Sequence, residues 1–410
     1  MALPKGTPST AKKHYRDMFA LQALAVAAAA RAWRRVDTTD IRASWRDQSE
    51  NLVPVLSGAQ LQAANAGASY GAMSLVESSG VWRPPSGFVD PQGFAGRTAK
   101  GVSWSSVLAV PAITALARIK DGARLDDAMQ SGLLQLKRIA GTEVIDAART
   151  AAGADVASRT GVGYIRLINA PSCKDCAVLA GRFYRWNAGF LRHPNCQCVH
   201  VPATSQAVEA GHTEGFFTDP YEYFQSLSPE DQDKVFGVSQ AEAIRDGSDI
   251  YRVVNAQRGT STAGDTTTAL SSRYGAGRLT PEGIYRQAGS REEALRLLES
   301  NGYILPGGQV PGGSIRGSFY EGFGALGRGG TRVGASEAIR AARKAGVRDP
   351  NSRYTMTEAE RRLSDARRRY EAVLEGRNPV GDGPLTPQIA AQAEQDFRRW
   401  LSTGGNIYAN

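Results

Sequence analysis

All four cysteines of the 410-residue chain fall between Cys173 and Cys198. Together with His193 they read C-x2-C-x16-H-x2-C-x-C. No other feature constrains the fold as tightly, because a shared metal ion or thiol cluster forces two segments together across a short loop. Thiolates three residues apart in a turn can ligate one ion, and zinc takes four nitrogen or sulfur ligands in a tetrahedron. Cys173, Cys176, His193, Cys196 and Cys198 are therefore five candidates for four places. The expected set is Cys173, Cys176, His193 and Cys196, or Cys198 in place of His193. The bland alternative is a group of buried free thiols, against which two pairs this close together argue. A redox C-x-x-C is a third option, but no thioredoxin-like βαβ pattern surrounds it. His200 and His212 read as surface histidines. Zinc with only three protein ligands would keep an open position for water and hydrolysis, and Asp175 is the one acid close in sequence to serve as base.

Upstream, Lys12 to about Arg46 reads as one helix anchored by Trp33 and Trp45, rich in Ala, Leu, Arg and Lys. Pro54 is expected to open a second helix through Ser78, where Ala63, Ala64, Ala66, Gly67 and Ala68 suit close helix packing. Trp82-Arg83-Pro84-Pro85 breaks the pattern. Further helices are expected over Ser105–Lys120 and from Leu125 to about Ala152, the last from the spacing of Leu125, Met129, Leu133, Leu136, Ile139, Val144 and Ala147. Residues 1–160 thus read as an antiparallel helical domain.

The texture changes at Gly161. Tyr164–Ile168, Phe183–Trp186 and Val199–Val201 are strand candidates, so 161–204 reads as a small cysteine–histidine knuckle with short β-strands. A short helical extension follows over 205–257, with Ser228-Pro229 as a helix start and another helix between Gly237 and Gly247. Residues 258–334 are rich in Gly, Ser and Thr and read as an extended arm, suited to ordering on a partner. One helix is expected there, from the capping box at Ser290–Glu293 to the stop at Asn301-Gly302. Residues 335–410 read as a basic helical tail with a capping box at Thr357–Glu360. Its stripe is Leu363, Ala366, Tyr370, Val373 and Leu374, followed by a turn at Gly381–Pro384 and a last helix from Thr386-Pro387 to Trp400. The fold class is α+β, mainly α.

The net charge of +9 favours polyanionic partners, nucleic acid above all. Arginines dominate from Ile315 to Arg377, although a charge run is often only a solvated helix face. No stretch approaches the length of a membrane span. The Ala-rich run Met18–Ala30 follows Lys12, Lys13 and Arg16, but Gln22 interrupts it and Arg31, Arg34 and Arg35 continue it. It reads as an amphipathic helix of a chain made in the cytoplasm, where cysteines stay reduced.

Ala170-Pro171-Ser172-Cys173-Lys174-Asp175-Cys176-Ala177-Val178-Leu179-Ala180-Gly181, then Arg192-His193-Pro194-Asn195-Cys196-Gln197-Cys198 and Val201-Pro202, resembles the Mu F-like phage head-morphogenesis (minor capsid) family. That pattern is a helical N-terminal part, C-x-x-C, H-P-x-C-x-C and a proline shortly after. The specific motif covers about Ile165 to Pro202. The tail after Thr204 resembles the variable extensions of actinobacterial-phage members. The resemblance implies a non-enzymatic, low-copy structural protein of the virion, assembled in the host cytoplasm. It would sit inside the capsid near the portal protein and act in head assembly or the handling of packaged double-stranded DNA, without a membrane. Some members carry fused ADP-ribosyltransferase domains. Arg252 and Ser261-Thr262 are faintly similar to such a site, but Glu358-Ala359-Glu360 stands at a helix start, the wrong context.

Two other classes remain. A zinc-containing nuclease of the His-Asn-His type needs a general-base histidine and acidic or histidine partners on a ββα unit. This chain has four histidines, His14 is remote, and no His-His or Asp-His pair occurs. A DNA-binding zinc protein needs a recognition helix, whereas Phe183, Trp186 and Phe190 occupy the stretch between the cysteine pairs.

Overall fold

The computed structural model describes residues 7–168, 172–189, 192, 196, 198–211, 220–245, 250, 253, 254, 281–303 and 358–403. These residues are mainly helical, with one small antiparallel sheet. The N-terminal helices are α1 (Ser9–Trp33), α2 (Ile41–Ser69), α3 (Gly71–Ser79), α4 (Trp104–Lys120) and α5 (Leu125–Ser158). Helix α5, with 34 residues, is the central element, packing against α1, α2 and α4. Its first half alternates buried and exposed positions, whereas almost every residue from Ala140 to Ser158 is buried. A helix covered on all sides this way needs small side chains, and Ala147, Ala148, Ala151, Ala152, Ala154 and Ala157 supply them.

The small residues of α2 pack as their sequence suggests: Ala63, Ala64 and Ala68 are buried. A Cβ on Gly67 would lie 2.1 Å from the Ala148 carbonyl oxygen, so the α2–α5 approach requires glycine. The expected helix from Lys12 to Arg46 is two helices. Helix α1 stops at Trp33, and Asp40 caps α2 by accepting from the Ala43 amide at 3.0 Å. The break folds Trp33 against Trp45 edge to face, ring centres 4.9 Å apart. Pro54 does not open α2 but sits inside it on the exposed face, where solvent can reach the carbonyl that loses its partner.

The sheet comprises β1 (Val162–Leu167), β2 (Phe183–Tyr184) and β3 (Val199–Thr204), with β1 in the middle. The register pairs Tyr164 with Tyr184 and with Pro202. Pro202 cannot donate to a ladder and accordingly lies on an edge strand. The outer polar groups of β3 are met by side chains around α3: Tyr70 Oη donates to His200 O (2.5 Å), Ser78 Oγ to Pro202 O (2.5 Å), and Ser79 Oγ accepts from the Thr204 amide (3.0 Å). Such cover blunts an edge that would otherwise recruit another strand.

Beyond the sheet come the one-turn helix α6 (Lys174–Ala177), between β1 and β2, and then α7 (Ser205–Glu209), α8 (Pro220–Ser226), α9 (Pro229–Phe236) and α10 (Val238–Arg245). Ser228 caps α9 with Pro229 in its first turn, as its sequence suggests. Within the stretch read as a loose arm, residues 281–303 form two helices rather than one, α11 (Pro281–Gln287) and α12 (Arg291–Ser300). Both dock on the main core, through Ile284, Tyr285, Ala294, Leu298 and Tyr303. Ser290 caps α12 as expected, and Arg291 Nη1 donates to the Ala157 carbonyl (2.6 Å) at the end of α5.

Helices α13 (Glu358–Leu374) and α14 (Pro387–Thr403) pair as a hairpin, and α14 lies against α3. Ala366, Tyr370 and Val373 of the expected stripe are buried; Leu374 is partly exposed. The hairpin is anchored by a buried ionic quartet. Arg159 Nη2 meets Glu394 Oε1 at 2.5 Å and Arg159 Nε meets Asp155 Oδ2 at 3.0 Å. Arg398 Nε meets Glu394 Oε1 at 2.9 Å, and Arg398 Nη2 also reaches Asp155. The Ala68 and Arg83 carbonyls and the Trp82 indole satisfy further polar atoms. The tail, read from sequence as basic and helical, is thus, over these two helices, part of the folded body. Among the described residues no helix is long and apolar enough to cross a membrane.

Candidate metal centre

The C-x-x-C pair lies on the turn after β1, where Cys173 caps α6 and its Sγ accepts from the Cys176 amide at 3.4 Å. The C-x-C pair leads directly into β3, so the β1–β3 ladder brings the two segments together. Cys176, Cys196 and Cys198 are buried, and their sulfurs all lie within 4.8 Å of one another, close enough to hold one metal ion. Cys176 Sγ and Cys196 Sγ are 3.6 Å apart, and no disulfide links them. Cys173 is half-buried just outside this triangle, hydrogen-bonded to Cys176.

Alternation along the strands builds the walls. Tyr164 and Ile168 of one β1 face join the sulfur cluster, while Leu167, Val199 and Val201 pack the other way, against Ala11 of α1. Val178, Phe224, Phe236 and Ile244 complete an apolar shell. Tyr223 Oη ties down the approach to Cys173 by accepting from the Ser172 amide (2.5 Å) and donating to its carbonyl (2.6 Å).

Arg149 of α5 fastens the second segment to the helical core. Its Nε donates to Cys198 O at 2.8 Å, and its Nη2 donates to Cys196 O. Asp146 holds Arg149 at 2.9 Å and receives Arg192 Nε at 2.7 Å. Hydrogen bonds from Cys176 and Cys198, aided by Arg149 and Arg166, draw the Cys196 thiol well below its usual range. Cys176 is pushed up by its bonds to Cys173, Cys196 and Cys198 and by burial. The buried thiols thus share their protons within the cluster. Coordination to a cation would remove the remaining protons.

Of the five candidates read from sequence, four gather here; His193 lies outside the described residues, as do His212, Arg252, Ser261 and Thr262. His200 is corrected: it is not a surface residue but is buried in β3, with its ring edge-on to Tyr164 at 4.4 Å. Burial, with Arg149, Arg166 and Arg192 nearby, holds it well below its usual value, hence neutral. His14, remote in sequence, is buried in the same region, stacked on Tyr70 at 4.0 Å. Asp175 is partly exposed and paired with Lys174. Sequence reading missed Arg149 and Asp146 because charged residues on an Ala-rich helix look solvent-facing, and Arg166 because a charge within a short strand reads as its solvent face.

The residues fit a metal centre: three buried soft donors converge among apolar side chains, with the buried Arg149 and Arg166 nearby. Among the described residues no histidine or carboxylate joins the sulfur triangle. No protein-family model, curated protein or solved structure matches the chain.

Proposed function

We propose that the chain is a structural minor capsid, or head-morphogenesis, protein of a tailed bacteriophage. It would be assembled in the host cytoplasm and act inside the head near the portal protein in head assembly or DNA packaging. The observation supporting this reading is that Cys176, Cys196 and Cys198 of the Mu F-like motif close onto one buried sulfur cluster, fastened to the preceding helices by Arg149. In this reading the ion is zinc, held structurally. Apolar neighbours such as Tyr164, Phe224 and Phe236 around the sulfurs support a structural ion over a catalytic one, and the protein is proposed not to be an enzyme. The portal protein, the capsid interior and packaged double-stranded DNA are the proposed partners. The test is fractionation of virions: the chain should co-purify with heads and remain with the portal on mild disruption. Absence from purified heads, with metal-dependent plasmid cleavage that disappears in His193→Ala, would favour the nuclease reading instead.

A further inference from the structure

Over α13 and α14 the arginines are used internally. Arg367 meets Glu371 at 3.5 Å and Arg369 meets Asp396 at 3.7 Å, while Arg368 pairs with Asp365 and Arg377 with Glu375. The first two helices differ. Arg31, Arg34, Arg35, Arg42 and Arg46 are all exposed. None of the five forms an ion pair or a side-chain hydrogen bond with a described residue.

The fold gathers these five at one corner. Arg31, Arg34 and Arg35 share a face of α1 by their three- and four-residue spacing, and Arg42 and Arg46 share one of α2. The Asp37 amide donates to Ser44 Oγ at 3.0 Å, which donates back to the Asp37 carbonyl at 3.2 Å. Arg35 lies two residues before that contact, and Arg42 and Arg46 lie two residues either side of Ser44. The Trp33–Trp45 contact beneath holds the two helices together. The acids of this segment are Asp37, Asp40 and Asp47. Asp37 accepts from the Thr39 amide and hydroxyl, and Asp40 from the Ala43 amide. A helix C-terminus favours cations, which accounts for Arg31 and Arg34. It does not account for Arg42 and Arg46, which stand in the opening turns of α2, where the helix dipole disfavours positive charge.

We propose that the α1–α2 corner, with Arg31, Arg34, Arg35, Arg42 and Arg46, binds the phosphate backbone of double-stranded DNA. This rests on the DNA partner proposed above and places its contact on the helical domain rather than on the basic tail. Arginine matches phosphate oxygens with paired N–H donors, and the exposed hydroxyl residues Thr38 and Thr39 are of the type that adds backbone contacts. A protein partner would call for an apolar centre, and from Arg31 to Arg46 no large apolar side chain is exposed. The contact is to backbone alone, so it carries no sequence preference.

The test measures binding of the full chain to short duplexes of two unrelated sequences by fluorescence anisotropy, between about 50 and 200 mM salt. Two variants remove equal charge: Arg34, Arg35, Arg42 and Arg46 to Gln at the corner, and Arg367, Arg368, Arg369 and Arg377 to Gln on the hairpin. Each phosphate contact contributes about 0.9 to the slope of log affinity against log salt. The corner variant should therefore lose about 3–4 of that slope on both duplexes, and the hairpin variant should keep the wild-type slope. Far-UV circular dichroism checks the fold; should the corner variant not fold, Arg34→Gln with Arg35→Gln, and Arg42→Gln with Arg46→Gln, should each lose about half as much. An unchanged slope in the corner variants, or equal losses in corner and hairpin variants, would overturn the placement. Displacement of the duplex by polyglutamate at matched charge would assign the corner to an acidic protein and overturn the DNA contact. No DNA binding by the wild type would defeat both this inference and the DNA partner, whereas co-purification with heads tests the capsid reading separately.

Discussion

Replacing Arg398 by methionine should release the C-terminal hairpin. In the quartet two guanidiniums and two carboxylates balance, and all four side chains are at most 5% exposed. Burial alone would raise the Asp155 carboxyl, yet Arg159 and Arg398 hold it below its usual value. Arg398→Met leaves Asp155 and Glu394 sharing Arg159 alone, one negative charge uncompensated, and strips the Ala68 carbonyl of its 2.7 Å donor. Removing one partner of a buried pair costs about 3–5 kcal/mol, a large share of the ~5–15 kcal/mol that stabilises a typical domain. The double replacement Glu394→Met with Arg398→Met removes a neutral pair and leaves Asp155–Arg159 intact at 3.0 Å. It should therefore cost less than the sum of the singles, by about 0.5–3 kcal/mol of coupling. Urea unfolding followed by circular dichroism gives these energies, and limited proteolysis reports whether α13 and α14 become cleavable. A loss under about 1 kcal/mol for Arg398→Met, or strict additivity, would refute the claim that the quartet holds the hairpin.

Gly67→Ala should destabilise the protein in thermal unfolding: alanine gains about 1 kcal/mol in helix propensity, but its Cβ would sit 2.1 Å from Ala148 O, and overpacking costs about 1–3 kcal/mol. Cys176→Ser, or strong chelation of the wild type, should raise hydrogen exchange across β1 and β3 while α2 and α4 stay protected, because metal binding is folding energy at such a site. Unchanged exchange would leave the cluster without a structural role. His14 titrates near 6.5 when unfolded, and burial lowers it to about 3 in the fold. Between those values the unfolded chain binds the extra proton, so stability is full above about pH 6.5 and falls as pH drops, by about 1.4 kcal/mol per unit for this one group. His14→Phe should flatten that slope in urea titrations between pH 6 and 4.

Local chemistry was legible in the residues themselves. Cysteine spacing located the centre, β-branched and aromatic runs located the three strands, and Ser228 and Ser290 marked helix starts because a hydroxyl cap acts within one turn. The small residues of α2 announced a close helix contact, though not that α5 would be the partner. What spacing could not report was which faces meet. Asp155 and Arg159 stand four residues apart, as do Glu394 and Arg398, so each pair reads as an ordinary solvated i,i+4 couple. Only the docking of α14 beside α5 turns two surface pairs into one buried quartet, and a basic tail into part of the core. His200 likewise alternates in β3 with Val199 and Val201, a pattern that suggests a solvent face. The tertiary structure buries that face, where Tyr164 sits edge-on beside His200, and closes the strand edge with Tyr70 and Ser78. Burial is a property of the partner surface, and a side chain carries no record of which distant segment will supply it.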